Sequence, residues 1–259
     1  MPPHADAGLS RRAALAILGA AGLVGLSGAG GMVALALLRR SRGAAQTEPE
    51  PEPIPPPPIV PREAWGALPP DHTAPNENGF YSLENPEGWR VYEGDLRTIY
   101  RTAVIHHSAN YGADDVDTLL YIQDRHRNER GWADVGYHFF VGKGGTLYEG
   151  RALEVRGTHV AAHNTGSVGI CLLGNYEEQP VPAAQIAATH TLLNWLTRTL
   201  ALTHLAGHRE FNPETVCPGA NLLPYLDALA AASGLIHSTT GYVPSEEQLL
   251  ATQAAAGQS

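Results

Sequence analysis

The stretch AAQTEPEPEPIPPPPIVP, residues 44–61, divides this chain before anything else in it can be placed. Eight of its residues are proline and three are glutamate. Proline has no backbone N–H to give a helix or a sheet ladder, and its ring locks φ. The alternating glutamates cannot enter a core. The segment is therefore a stiff, extended spacer rising about 3.1 Å per residue, and anything that folds must do so to one side of it.

Residues 1–43 form the first side. Ser10, Arg11 and Arg12 precede Ala13–Leu38, a run without a charged side chain, and RRSR follows. Twin arginine ahead of a Gly/Ala-rich apolar run resembles a twin-arginine export signal. A signal needs an apolar stretch of about 7–15 residues, whereas about 20 span a bilayer. Residues 13–38 are thus also long enough for a retained membrane anchor. Either way the rest of the chain is expected outside the cytoplasm, secreted or membrane-anchored. Two arginines before the run and three after it lean slightly against that orientation. The twin-arginine pattern outweighs a difference of one charge.

Beyond residue 43 the chain carries 12 basic against 25 acidic residues. Nucleic-acid binding needs a basic footprint, so that partner is excluded. Two cysteines, Cys171 and Cys217, are too few for a disulfide-built fold.

From residue 62 onward, short β-branched runs alternate with helical patterns. A polar, turn-rich stretch (71–97) comes first and is expected to be a long loop. TAVIHHSA (102–109) is a strand ending at two histidines. Residues 113–130 start acidic and end basic, as a helix dipole favours, with Val116, Leu119, Leu120, Gln123 and His126 on a partly apolar face. Residues 134–151 are a hairpin about a Lys-Gly-Gly turn, 167–175 a buried strand, 182–202 a long helix, 203–208 a short strand and 219–234 a last helix. The expected fold class is α/β: one domain over 62–234, with a central mixed β-sheet flanked by helices. The N-terminal apolar segment and Pro-rich linker precede it, and a polar tail (235–259) follows.

The reactive side chains fall where strands end. His106 and His107 close one strand, His208 closes another, and Cys217 follows in the loop GHREFNPETVCPG. In α/β sheets, ligands bind where the strands end and loops converge. Two imidazoles and a thiolate, with a fourth position left for water, are the layout of a catalytic Zn2+ site. The spacing alone matches no short zinc signature. It leaves open a plain turn with a buried thiol, a disulfide from Cys217 to Cys171, and a cysteine nucleophile served by a histidine base. Strand alternation sends His107 to the face opposite His106, which makes it structural. His126 and His138 are expected to be structural as well, and Cys171 to pack as a small hydrophobe.

Five stretches occur together and in order: REAWGA (62–67), AVIHHSA (103–109), GWADVGYHFFVGKGGTLYEGR (131–151), THVAAHNTGSVGICLLGNY (158–176) and GHREFNPETVCPG (207–219). In this they resemble the type 2 N-acetylmuramoyl-L-alanine amidase family, which includes the peptidoglycan recognition proteins and phage lysozyme-type amidases. The resemblance implies a zinc hydrolase that cuts the amide between N-acetylmuramic acid and L-alanine of peptidoglycan. It implies His106, His208 and Cys217 as Zn2+ ligands and Tyr137 as a catalytic residue assisting water and transition state. Thr215 stands where recognition proteins often have threonine and phage members lysine. The resemblance places His159 and Asn164 at the border of the substrate groove. Gly131-Trp132 matches the pair that accompanies a diaminopimelate-type muropeptide stem. The alternative within the same family is a non-catalytic peptidoglycan-binding module; such relatives typically lack the cysteine, which this chain has.

Overall fold

Strands covered on both sides read as continuous apolar runs rather than alternating ones, and two strands here are of that kind. β2 (Thr102–His107) and β5 (Ser167–Leu172) are buried at every position. The structure, a computed structural model, describes residues 55–242. The expected export segment or anchor, most of the spacer, and residues 243–259 lie outside the described residues. No helix among the described residues is long and apolar enough to cross a membrane.

β2 and β5 form the centre of a seven-stranded mixed sheet. Its other strands are β1 (Ile59–Val60), β3 (Phe139–Val141), β4 (Leu147–Glu149), β6 (His204–Gly207) and β7 (Ile236–His237). The order across it is β1-β4-β3-β5-β2-β6-β7. All neighbours are parallel except the β3–β4 hairpin. That hairpin turns at Gly145, whose φ of +89° suits glycine.

Each face is covered by helix. On one, Ile105, Val141, Ile170 and Leu172 pack against α2 (Ala183–Leu200) through Leu192, Leu193 and Leu196. Leu226 and Leu229, of the later helix α4 (Leu226–Ala232), complete this layer. On the other, Phe140, Cys171 and Leu173 meet Leu119 and Ile122 of α1 (Asp115–Asp124) and the buried Trp65. Trp65 anchors its own segment by donating Nε1–H to the Glu149 carbonyl at 2.9 Å.

The acidic start of α1 is a cap: the Asp114 carboxylate accepts from the Asp117 N–H at 2.8 Å. Its inward stripe differs from the expected one. Thr118, Leu119, Ile122 and Gln123 are buried, whereas Val116 and Leu120 are exposed. Gln123 sets this rotation, because its carboxamide bonds both backbone groups of Leu68 and donates to Asp134. A five-residue π turn, Arg125–Glu129, continues α1. The helix then ends at Gly131, with φ +64°.

Both expected domain borders move outward. Ile59 and Val60 pair with Leu147 and Tyr148, so the last residues of the spacer belong to the sheet. Past residue 234, Ile236 and His237 pair with His204 and Leu205 as the opposite edge strand. Leu235 is buried just before them. Composition hid these pieces because two-residue edge strands give no periodic signal.

The polar stretch 71–97 is largely loop, as expected, but it is tied down. Glu77 and Arg151 form a bidentate ion pair, 2.6 and 2.7 Å, with side chains 3% and 0% exposed. The Arg151 guanidinium also stacks on Trp89 at 4.6 Å. Removing one partner of such a pair strands a buried charge. Glu77→Gln should therefore lower unfolding free energy by about 3–5 kcal/mol, read from urea denaturation of the full chain. A loss below about 1 kcal/mol would mean that the loop is not held by this pair.

Candidate functional site

The strand ends converge as the parallel register dictates. β2 delivers His106 opposite Cys171 of β5, and Ile105 opposite Gly207 of β6. One residue beyond Gly207, the chain enters a single helical turn, α3 (His208–Phe211), so His208 opens a helix rather than closing the strand. The Gly207 N–H is held by Glu210 at 2.6 Å. The following loop returns: the Arg209 N–H donates to the Cys217 carbonyl at 2.8 Å. The His107 N–H reaches the Cys217 sulfur at 3.4 Å. These backbone bonds bring the loop cysteine back to the end of β2.

The result is one donor cluster. An imidazole nitrogen of His106, one of His208 and the Cys217 sulfur lie within 4.8 Å of one another. Two ligand atoms on a tetrahedral zinc, at ordinary Zn–N and Zn–S lengths, stand about 3.6 Å apart. His106 Nδ1 and Cys217 Sγ are 3.6 Å apart. The donor set, two nitrogens and a sulfur, suits zinc. Both cysteines are free thiols, so no disulfide competes for Cys217.

A cleft of about 270 Å³ opens onto this cluster. His208, Cys217, Thr215 and Tyr137 line it together with Tyr121, Arg125, His126 and Arg130. A larger hollow, about 730 Å³, lies between β1, the hairpin turn and α2, but it is lined by proline, aliphatic, glycine and threonine residues alone. Chemistry rather than size identifies the site.

Protonation states follow from burial. Burial, with His159 and His208 alongside, holds His106 well below the ordinary imidazole range. Burial lowers His208 also. Both rings are neutral near pH 7, as ligands must be. Burial pushes the Cys217 thiol up to about 12, although the His107 N–H opposes it. Burial first, then the nearby Cys171 and Cys217, keeps the Tyr137 phenol well above its usual range, so it stays a donor. Thr215 Oγ accepts from the Cys217 N–H at 3.2 Å, which leaves its own hydrogen free to donate.

The remaining expected site residues do not line the cleft. His159 is 7% exposed and lies behind His106, its Nδ1 3.1 Å from His106 Nε2. The Asn164 side-chain oxygen accepts from the His159 and Val160 N–H groups at 2.7 and 2.8 Å and so shapes a turn. Gly131 is buried, and a Cβ there would meet Pro75 at 2.8 Å. Trp132, half-buried, packs its ring on His126, 4.8 Å between centroids. His107 accepts from the Tyr176 N–H at 3.0 Å. His138 is bonded to backbone at both nitrogens, by the Gly169 N–H and the Val155 carbonyl.

Sequence reasoning missed Arg125, Arg130 and Tyr121, and treated His126 as structural only. His126 does accept from the Gly136 N–H at 3.0 Å, yet the same ring lines the cleft. Burial pushes it down to about 3. The neutral ring therefore carries its proton on Nε2. The signal was present: Tyr121 with Arg125, and Ile122 with His126, are i, i+4 pairs that share a helix face.

Comparison with known proteins agrees with this geometry. Residues 96–220 match the family model described as N-acetylmuramoyl-L-alanine amidase. Peptidoglycan-recognition protein SC2 of Drosophila simulans is 41% identical over 127 residues, spanning 46% of this chain and 68% of that relative. The solved structure of wild-type Drosophila PGRP-LB superposes with a TM-score of 0.54 at 28% identity, covering 70% of this chain and 96% of that one. A point mutant of the same protein, in complex with tracheal cytotoxin, gives 0.52 at 28% identity, covering 66% and 93%.

The donor set makes a pH prediction. Metal binding must displace the Cys217 proton, whereas both imidazoles are already neutral. Zinc titrated into metal-free protein should release about one proton per ion, and affinity should rise about tenfold per pH unit between roughly pH 7 and 9. Calorimetry in buffers of different ionisation enthalpy measures this. No proton release would exclude the thiol as a ligand.

Proposed function

Because this chain belongs to the family of N-acetylmuramoyl-L-alanine amidases and peptidoglycan recognition proteins, we propose that it is a zinc amidase that releases stem peptides from peptidoglycan. The observation carrying this reading is the cluster of His106, His208 and Cys217 within 4.8 Å at the floor of a cleft. His106, His208 and Cys217 would hold the metal. When bound, zinc supplies Lewis-acid polarisation of the scissile carbonyl and lowers the pKa of a water toward 7.

The chain's own residues supply the rest. Tyr137 and Thr215 present hydroxyl donors beside the donor cluster, where charge develops on the amide oxygen. Removing one such donor costs about 10²–10³ in rate in comparable sites. His126 adds an Nε2–H beside Tyr137, the two ring centroids 5.6 Å apart. Arg125 and Arg130 give the cleft positive charge within an acidic domain, which suits the carboxylates of a muropeptide stem. A diaminopimelate-type stem is the proposed preference. Its supports are the Gly131-Trp132 pair and the tracheal cytotoxin held by the PGRP-LB mutant. That compound is a monomeric diaminopimelic acid-type peptidoglycan.

The uncharged run at 13–38 after twin arginine supports export, with residues 44–58 spacing the domain from a membrane or signal. N-terminal sequencing of the mature protein decides between cleavage and anchoring. A first residue beyond 38 means a cleaved signal; an intact N-terminus means an anchor.

The activity test uses the full chain, muropeptides and a chelator. Intact stem peptide should leave muramic acid, cease with chelator and return with zinc. Cys217→Ala should abolish cleavage, and Tyr137→Phe should lower kcat by about 10²–10³. Muropeptide binding without cleavage in zinc-replete buffer would overturn the amidase and leave a recognition module.

A further inference from the structure

Zinc-binding histidines almost always donate their other ring N–H to a carboxylate, a carbonyl or water, which sets the tautomer that can coordinate. The partner of His106 is of another kind. His106 Nδ1 faces the Cys217 sulfur, so the nitrogen that needs an acceptor is Nε2, and its neighbour is His159 Nδ1 at 3.1 Å. The two rings stand nearly perpendicular, 87° apart, with centroids at 5.1 Å.

An imidazole can accept or donate, so something must settle its direction. The other nitrogen of His159, Nε2, lies 3.4 Å from the Ser167 backbone carbonyl, which only accepts. It also lies 3.5 Å from the Ser167 hydroxyl. That hydroxyl gives its hydrogen to the His163 carbonyl at 2.5 Å, so toward His159 it too is an acceptor. The proton of a neutral His159 therefore sits on Nε2. Its Nδ1 is left with a lone pair, which accepts from His106 Nε2–H. His106 Nδ1 then keeps its own lone pair toward Cys217.

The slot around His159 is built for this ring. A Cβ at Gly169 or at Gly157 would come within 2.6 Å of it. The His159 N–H is pinned by Asn164 at 2.7 Å. The two glycines and the turn thus hold the ring against His106 from three sides.

We infer that His159 is a positioning residue, which, through the Ser167 carbonyl, holds His106 in the Nε2–H tautomer and so leaves Nδ1 ready for a metal. This rests on the metal-site reading above, yet the tautomer can be measured without metal. In metal-free full-length protein, 15N NMR should show the His106 proton on Nε2 and the His159 proton on Nε2. His159→Phe keeps an aromatic ring, though a larger one, and removes the acceptor. It should weaken zinc binding, measured by competition with a chromophoric chelator, by about 10–100-fold. His159→Asn places an amide oxygen near the Nδ1 position and should stay within about fivefold of the parent. A merely structural role would not be rescued by asparagine, which is smaller than phenylalanine. A His106 proton on Nδ1 in the parent protein, or equal zinc affinity in His159→Phe, would overturn the inference. If His159→Phe does not fold, the parent tautomer and His159→Asn still decide it. Failure of the amidase reading is a separate result: zinc would bind without muropeptide cleavage, and the tautomer would be unaffected.

Discussion

The site depends on one piece of backbone register: β2 lying parallel between β5 and β6. Because all three run the same way, their C-terminal ends open on one edge, and three segments far apart in sequence meet there. His106 arrives on β2, His208 one residue after β6, and Cys217 on the loop that folds back to the β2 backbone. A one-residue slip of β2 would turn His106 to the opposite face and bring His107 forward. Register is therefore part of the site's geometry, and the fully buried Ile105, Ile170 and Leu205 help to lock it.

Much of this was legible in the residues. Apolar runs gave the central strands, because a strand buried on both sides has few ways to be written. Strand alternation separated His106 from His107, and both now have distinct partners. The edge strands were illegible, since two residues such as Ile59–Val60 carry no period. The stripe of α1 was misread at Val116 and Leu120, which are exposed, while Thr118 and Ile122 turn inward; Gln123, expected on that face, is held there by bonding its carboxamide to backbone. The layer in which His159 and Asn164 lie was not legible, because a motif position records proximity to a site, not where a side chain sits.

Burial gives these polar groups their roles. The same desolvation that keeps the imidazoles neutral also keeps the Cys217 thiol protonated without metal and the Tyr137 phenol a donor. One environment thus keeps two imidazoles, a thiol and a phenol in their neutral forms. The cleft wall built by the end of α1 is different. Arg125 there pairs with Glu129 at the surface, 2.9 Å apart.

The outermost strands have a consequence for encounters with other chains. An exposed strand edge is a template on which another chain can add itself. Here β1 covers β4 with only two paired residues, and Pro55, Pro56, Pro57, Pro58 and Pro61 flank it, none able to donate to a neighbour. The other edge, β7, is equally short. The stretch that separates the domain from its N-terminus thus also seals the sheet, leaving neither border long enough to recruit a second molecule into a growing β-ribbon.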